Sequence, residues 1–116
     1  MQKNGKVLII DDEVDLCLLM KAFFSKKEYE VYIVHTLAEG MREVDKIHPD
    51  IVFLDNNLPD GLGWNYAPLI MDKHPQLKLH LISAYHPNLP NIKVTPNVKI
   101  WEKPLSLKAI DKFLFG

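Results

Sequence analysis

The sequence has a single cysteine, Cys17, which excludes an intramolecular disulfide and fits a reducing compartment. Flanked by Leu16 and Leu18, that thiol reads as a small core residue rather than a nucleophile. Long hydrophobic runs are missing as well. The first apolar stretch, Val7 to Ile10, stops at two acids and is too short for a signal peptide or a membrane span. Charge of one sign is not in excess: the formal net charge is -1, and no long basic or acidic run occurs, which argues against nucleic acid as a general partner. Repeats, low-complexity tracts and linkers are also lacking. These absences leave a cytoplasmic globular protein as the expectation. At 116 residues the chain suits a single domain spanning 1–116, with 47% apolar and 25% charged residues, and without room for a second.

What is present is an alternation of short apolar strands with amphipathic helices. Val7-Leu8-Ile9-Ile10 reads as a strand ending at Asp11-Asp12. A helix follows from about Val14 to Lys27, with Leu16, Leu19, Met20, Phe23 and Phe24 on one side. Glu30 to Val34 is a second strand, and Leu37 to Ile47 a second helix stopped by His48-Pro49. Ile51 to Leu54 is the central strand. A third helix lies between Trp64 and His74, where Pro68 requires a late start near Tyr66 or a distorted first turn. Leu77 to Ile82 and Val98 to Trp101 are the last two strands, and a short helix runs from Leu105 to about Phe115. This order predicts an α/β fold, a doubly wound five-stranded parallel sheet of flavodoxin-like order 2-1-3-4-5 with right-handed crossovers.

The stretch Ile51 to Gly63 is the one around which the chain is organised. Four apolar residues run straight into Asp55 and turn residues follow, so a buried strand delivers a carboxylate to its C-terminal edge. In such a sheet ligands bind at the carboxyl ends of the strands, beside the switch point between the first and third. That rule gathers Asp11, Asp12, Asp55, Ser83 and Lys103 on one edge. Each has a plain structural explanation alone: Asp12 can cap the first helix with Asp15 three residues on, Ser83 can end a strand, and Lys103 can precede a helix that starts at proline. Their convergence is the signal. Three carboxylates at close range repel one another unless a cation lies among them, and a hard divalent ion such as Mg²⁺ suits two or three carboxylates with water completing the shell. A lysine and a hydroxyl facing the same point suit phosphoryl oxygens. Together they describe a phosphoryl-transfer site with Asp55 as nucleophile.

With the acid pair Asp11-Asp12 after the first strand, Asp55 after the third with Leu58-Pro59 and Gly63 behind it, Ser83-Ala84 after the fourth and Lys103-Pro104 after the fifth, the chain resembles the receiver domain of two-component response regulators. The resemblance runs over nearly the whole length. It implies that Asp55 takes a phosphoryl group from a phosphohistidine on a sensor histidine kinase or phosphotransfer protein. It also implies Mg²⁺ bound directly by Asp12 and Asp55, by Asp11 partly through water, and by the backbone carbonyl of Asn57. Ser83 and Lys103 would hold the phosphoryl oxygens, and Asn57 and Tyr85 would tune the lifetime of the acyl phosphate. A phosphorylated Asp55 would draw Ser83 inward and reshape the face made by the fourth helix, fifth strand and last helix. Such a module is a phosphoacceptor rather than an enzyme acting on small substrates. Its output partner is not named by the sequence, and that same face is where a homodimer would form.

The chain also departs from the family. Pro87, Pro90 and Pro96, with Asn88, Asn91 and Asn97, fall where the family carries its fourth helix, which is therefore expected to be irregular, shortened or absent. The switch aromatic three residues before the lysine is Ile100 here, and the neighbouring Trp101 is expected on the opposite face of the strand. Asn56 is more polar than the family's usual residue after the acceptor. These departures motivate an alternative, a receiver-like interaction module that works without phosphorylation. An aspartate-dependent phosphohydrolase would want a second acid where Asn57 stands. A flavodoxin would not tolerate the acidic loop after the first strand beside a phosphate. The histidines, His35, His48, His74, His80 and His86, lack the spacing of a metal site. Trp64 reads as packing, and Phe113, Leu114 and Phe115 as a cap on the core or part of an interface.

Overall fold

Five short strands pair in parallel in a computed structural model that describes residues 3–84 and 95–116. β1 (Lys6–Ile10), β2 (Glu30–Val34), β3 (Ile51–Asp55), β6 (Lys78–Ser83) and β7 (Val98–Glu102) form one sheet of order β2-β1-β3-β6-β7. This is the doubly wound 2-1-3-4-5 arrangement expected from the alternating pattern. Strands that carry apolar residues at every position cannot present a wet face, and here both faces are covered by helices.

α2 (Leu37–Ile47) and α3 (Ala67–Lys73) cover one face, packing against Leu8, Ile10, Val52, Leu54, Leu79 and Leu81. α1 (Val14–Lys26) and α4 (Leu107–Phe115) cover the other, on Val7, Ile9, Ile51, Phe53 and Ile82. Successive residues of each strand therefore feed opposite cores. Ile100 joins the first core and Trp101 the second, which puts the two side chains on opposite faces as the strand period requires. His80 is buried in the second core, its ring 4.7 Å from that of Phe53.

Local chemistry accounts for the helix ends. Thr36 Oγ1 accepts from the Glu39 N–H and caps α2, and His48 ends it in a left-handed conformation at φ 55°. Ser106 caps α4 by accepting from the Ala109 N–H. Pro68 sits in the first turn of α3, after a 3-10 turn over Gly63–Tyr66, which is the late start that the proline demands.

Three details differ from the sequence reading. The core face of α1 is Cys17, Met20 and Phe24, whereas Leu18 and Leu19 are each 57% exposed, because the stripe facing the sheet is narrower than the apolar content of the helix. Asp12 does not cap α1: Glu13 is the N-cap residue, and the Asp11 side chain takes the Glu13 N–H instead. A small antiparallel hairpin, β4 (Asn57–Leu58) with β5 (Gly61–Leu62), follows the central strand where only a turn was expected. The segment with Pro87 and Pro90, and with it the expectation of an irregular fourth helix, lies outside the described residues, as do Tyr85 and His86. Among the described residues no helix is long and apolar enough to cross a membrane.

Candidate functional site

The hydrogen-bond ladder decides which side chains meet. Ile10 pairs with Leu54, Asp55 with Ile82, and Ser83 with Glu102, so the residues at or just beyond these positions all emerge on one edge of the sheet. They are Asp11, Asp55, Ser83 and Lys103. The Lys103 N–H also donates to the Ser83 carbonyl at 2.9 Å, carrying the ladder one step past β7. The peptide that follows, Lys103-Pro104, is cis.

Asp11, Asp55 and Ser83 are buried, and Asp12 is exposed at the rim. One carboxylate oxygen from each of Asp11, Asp12 and Asp55 lies within 4.8 Å of the others. The Lys103 ammonium stands among them, 3.2 Å from Asp11 Oδ2, 3.8 Å from Asp55 Oδ1 and 3.4 Å from Glu13 Oε1. Burial pushes Asp55 up to about 6, and the neighbouring Asp11 charge adds to the rise; Lys103 and the Asn57 N–H pull against it. Burial raises Asp11 too, opposed by its bond from Glu13 N–H and by Lys103. For Lys103 burial acts to lower the pKa, yet the surrounding Asp11 and Asp55 charges outweigh it and hold the ammonium above its ordinary value.

One ammonium is a poor match for this much negative charge. Among the described residues Asp11 Oδ2 is buried without a hydrogen bond, with the Lys103 ammonium 3.2 Å away. An all-oxygen, carboxylate-rich donor set with an unsatisfied buried oxygen fits a hard divalent cation such as Mg²⁺, with Asp11, Asp12 and Asp55 as the available ligands.

The loop after Asp55 is fixed from several sides. Gly63 lies so close that a Cβ there would stand 2.2 Å from the Asp55 carbonyl oxygen, and its N–H donates to the Asn56 carbonyl. Asn56 also accepts the Trp64 N–H through Oδ1, a use for the amide that an apolar residue could not serve. Asp60, at the tip of the hairpin, receives the N–H groups of Leu37 and Ala38 at 2.7 and 2.9 Å and so ties this loop to the start of α2. Those two N–H bonds draw the Asp60 carboxyl below its usual range, Ala38 contributing most.

Of the residues singled out in the sequence, Asp11, Asp12, Asp55 and Lys103 come together around one point, with Ser83 beside them on the same edge. Asn57, two residues after Asp55, is exposed, with its N–H on the Asp55 carboxylate. Three contributors were not foreseen. Glu13 adds a third carboxylate to Lys103, after Asp11 and Asp55, His35 Nδ1 meets the Asp11 carbonyl at 2.9 Å, and Asp60 anchors the loop. Glu13 carried a signal, being the next acid after the pair; the other two depend on tertiary contacts. Cys17 is buried and its Sγ donates to the same Asp11 carbonyl; burial pushes this thiol up to about 12, in keeping with an inert core residue.

Residues 7–110 match the family described as response regulator receiver domain. The chemotaxis protein CheY of Listeria monocytogenes is 31% identical over 80 residues, covering 68% of this chain and 67% of that protein. The regulatory protein VanR of Enterococcus faecium is 33% identical over 71 residues, 61% of this chain but 31% of VanR, so the chain spans only a fraction of that longer relative. Among solved structures, the non-phosphorylated HemR receiver domain from Leptospira biflexa superposes with a TM-score of 0.79 over 96% of this chain and 91% of that one, at 23% identity.

Proposed function

The chain belongs to the response regulator receiver domain family, and from that premise we propose that it is a phosphoacceptor whose Asp55 takes a phosphoryl group from a phosphohistidine of a sensor kinase or phosphotransfer protein. The observation that carries this reading is the Lys103 ammonium held within 3.8 Å of both Asp11 and Asp55 in a buried acidic pocket. In the proposed step an Asp55 oxygen forms a bond to phosphorus as the bond to the imidazole nitrogen breaks, and the departing imidazole takes up a proton. Asp55 is the acceptor because it ends the central strand and its carboxylate is steadied by the Asn57 N–H. Lys103 offsets the charge that accumulates on the phosphoryl oxygens, and the Ser83 hydroxyl supplies a hydrogen bond to one of them. Mg²⁺ held by Asp11, Asp12 and Asp55, with the Asn57 carbonyl, would supply the remaining charge neutralisation.

The chain is thus read as one receiver unit, cytoplasmic, that changes the behaviour of an output partner when phosphorylated. The deciding experiment is incubation with acetyl phosphate and Mg²⁺, followed by intact mass. A gain of one phosphate in the wild type that is lost in Asp55→Asn and on chelation of Mg²⁺ supports the reading; no gain in the wild type, or the same gain in all three samples, overturns it.

A second reading has its own observation. Ile100 is packed in the α2/α3 core where the resemblance leads one to expect a mobile aromatic, and Trp101 is engaged on the other face. A module that binds its partner irrespective of phosphorylation would keep that binding unchanged in Asp55→Asn.

A further inference from the structure

The first strand arrives at the acid pair already tied to its neighbour. Ile10 pairs with Val34 in the ladder between β1 and β2, and the Asp11 N–H donates to the Val34 carbonyl at 3.1 Å. One residue on, the Asp11 carbonyl lies 2.9 Å from His35 Nδ1; a carbonyl only accepts, so Nδ1 carries the proton and donates. Asp11 is therefore gripped before and after its Cα by consecutive residues at the end of β2. The same carbonyl accepts from the buried Cys17 Sγ at 3.3 Å, so the peptide joining Asp11 to Asp12 is held from the core and from the rim. Resting on the phosphoacceptor reading above, we propose that His35 is a positioning residue for the cation of that site. Its N–H fixes the Asp11–Asp12 peptide, and the turn it begins braces the acid pair against the loop that follows Asp55.

The turn can act as a brace because its far side is anchored too. Thr36 caps α2, and the next two N–H groups, of Leu37 and Ala38, converge on the Asp60 carboxylate at 2.7 and 2.9 Å. Asp60 sits at the tip of the hairpin whose first residue, Asn57, puts its N–H on the Asp55 carboxylate. A path of covalent and hydrogen bonds thus runs from the Asp11 carbonyl through residues 35–38 and Asp60 to Asp55.

This path matters because the acids oppose one another. Asp11, Asp12 and Asp55 offer oxygens within 4.8 Å of each other, and the single Lys103 ammonium offsets their repulsion only in part. A tether that keeps the ligands from moving apart leaves less of the ion's binding energy to go into drawing them together. Cutting it costs little in the ion-free protein, where relieved repulsion offsets the lost hydrogen bond, and weakens the ion's binding. That split separates positioning from a general structural role. His35 is exposed, so replacing its ring opens no cavity in the core.

The test uses the full chain with Mg²⁺ alone, titrated by calorimetry at fixed pH, with thermal midpoints taken with and without the ion. His35→Leu removes the donor, whereas His35→Asn supplies an amide N–H in place of Nδ1. Groups that orient a metal ligand from behind change affinity by about ten- to a hundredfold. Here the bond is one of two on the carbonyl and lies at the rim, so Mg²⁺ binding should weaken by about three- to tenfold in His35→Leu, with the ion-free midpoint nearly unchanged. His35→Asn should return to within about twofold of the wild type. Asp60→Ala should also weaken binding, and adding His35→Leu to it should then matter less, because a brace released at one end is already lost. Equal affinity in wild type and His35→Leu overturns the inference, as does a His35→Asn no tighter than His35→Leu; additive losses in the double variant overturn the brace. A wild type that does not bind Mg²⁺ overturns the proposed cation site and this inference with it, a result distinct from the others.

Discussion

Trp101 donates its indole N–H to His80 Nδ1 at 2.9 Å, and the two rings lie stacked at 15° with centroids 6.2 Å apart. The bond uses the His80 nitrogen as an acceptor and so selects the neutral imidazole. Burial, with smaller contributions from Lys78 and Lys99, lowers His80 to about 4. The unfolded chain binds this proton near the ordinary 6.5, so the folded state holds fewer protons between the two values.

Stability should therefore be untouched by His80 above pH 6.5, fall as pH drops from 6.5 towards 4, and level below that, by roughly 3 kcal/mol at most. Asp55 acts in the opposite sense. Its raised value means that its contribution is full below 3.8 and lost as pH rises through about 6. Comparing wild type with His80→Phe by denaturant unfolding from pH 4 to 7 cancels the Asp55 part. The wild type should show the steeper acid loss; parallel curves would mean that His80 is not held neutral.

Asp55→Asn should stabilise the protein at pH 7 in the absence of divalent ions, by about 1–2 kcal/mol, because it removes a buried carboxylate placed beside Asp11. Mg²⁺ should raise the thermal midpoint of the wild type and do so much less in the variant. A wild type already as stable as Asp55→Asn without Mg²⁺ would show that the acids are not in conflict.

Gly63→Ala should cost about 2 kcal/mol or more, since the new methyl meets the Asp55 backbone oxygen at 2.2 Å and the chain must move to admit it. That movement displaces the acceptor strand end, so acetyl phosphate labelling should slow as well. Urea unfolding and the labelling rate measure the two effects separately.

Asp60→Ala should lower the midpoint by less than Gly63→Ala, by freeing the Leu37 and Ala38 N–H groups at the start of α2. The loss should be present at neutral pH and shrink in acid, because the depressed carboxyl of the wild type gives its stabilisation only while ionised. Amide exchange at Leu37 and Ala38 is the direct readout.

The sheet order and the edge on which the acids gather were legible because they follow from local pattern. Val7 to Ile10 and Ile51 to Leu54 have no polar residue with which to face water, so both must be inner strands, and the acid after each must emerge at the same edge. What escaped the sequence depends on contacts between distant segments. Nothing near Asp60 announces that it caps a helix that starts at Leu37, and nothing in the spacing of His48 and His74 reveals that two helix ends bring them together. Leu19 failed for a different reason. α1 holds more apolar residues than its contact with the sheet can cover, so periodicity alone could not tell which ones face out.

The pairing of Ile10 with Leu54 makes the sheet a ruler for the chemistry at its edge. A single residue inserted into β3 would turn the Asp55 side chain to the other face, and two would restore its facing but carry it about 7 Å along the strand, beyond the grasp of Lys103. Strand length is thus held fixed by charge geometry as firmly as by packing: the number of rungs beneath the acids sets where each charge emerges.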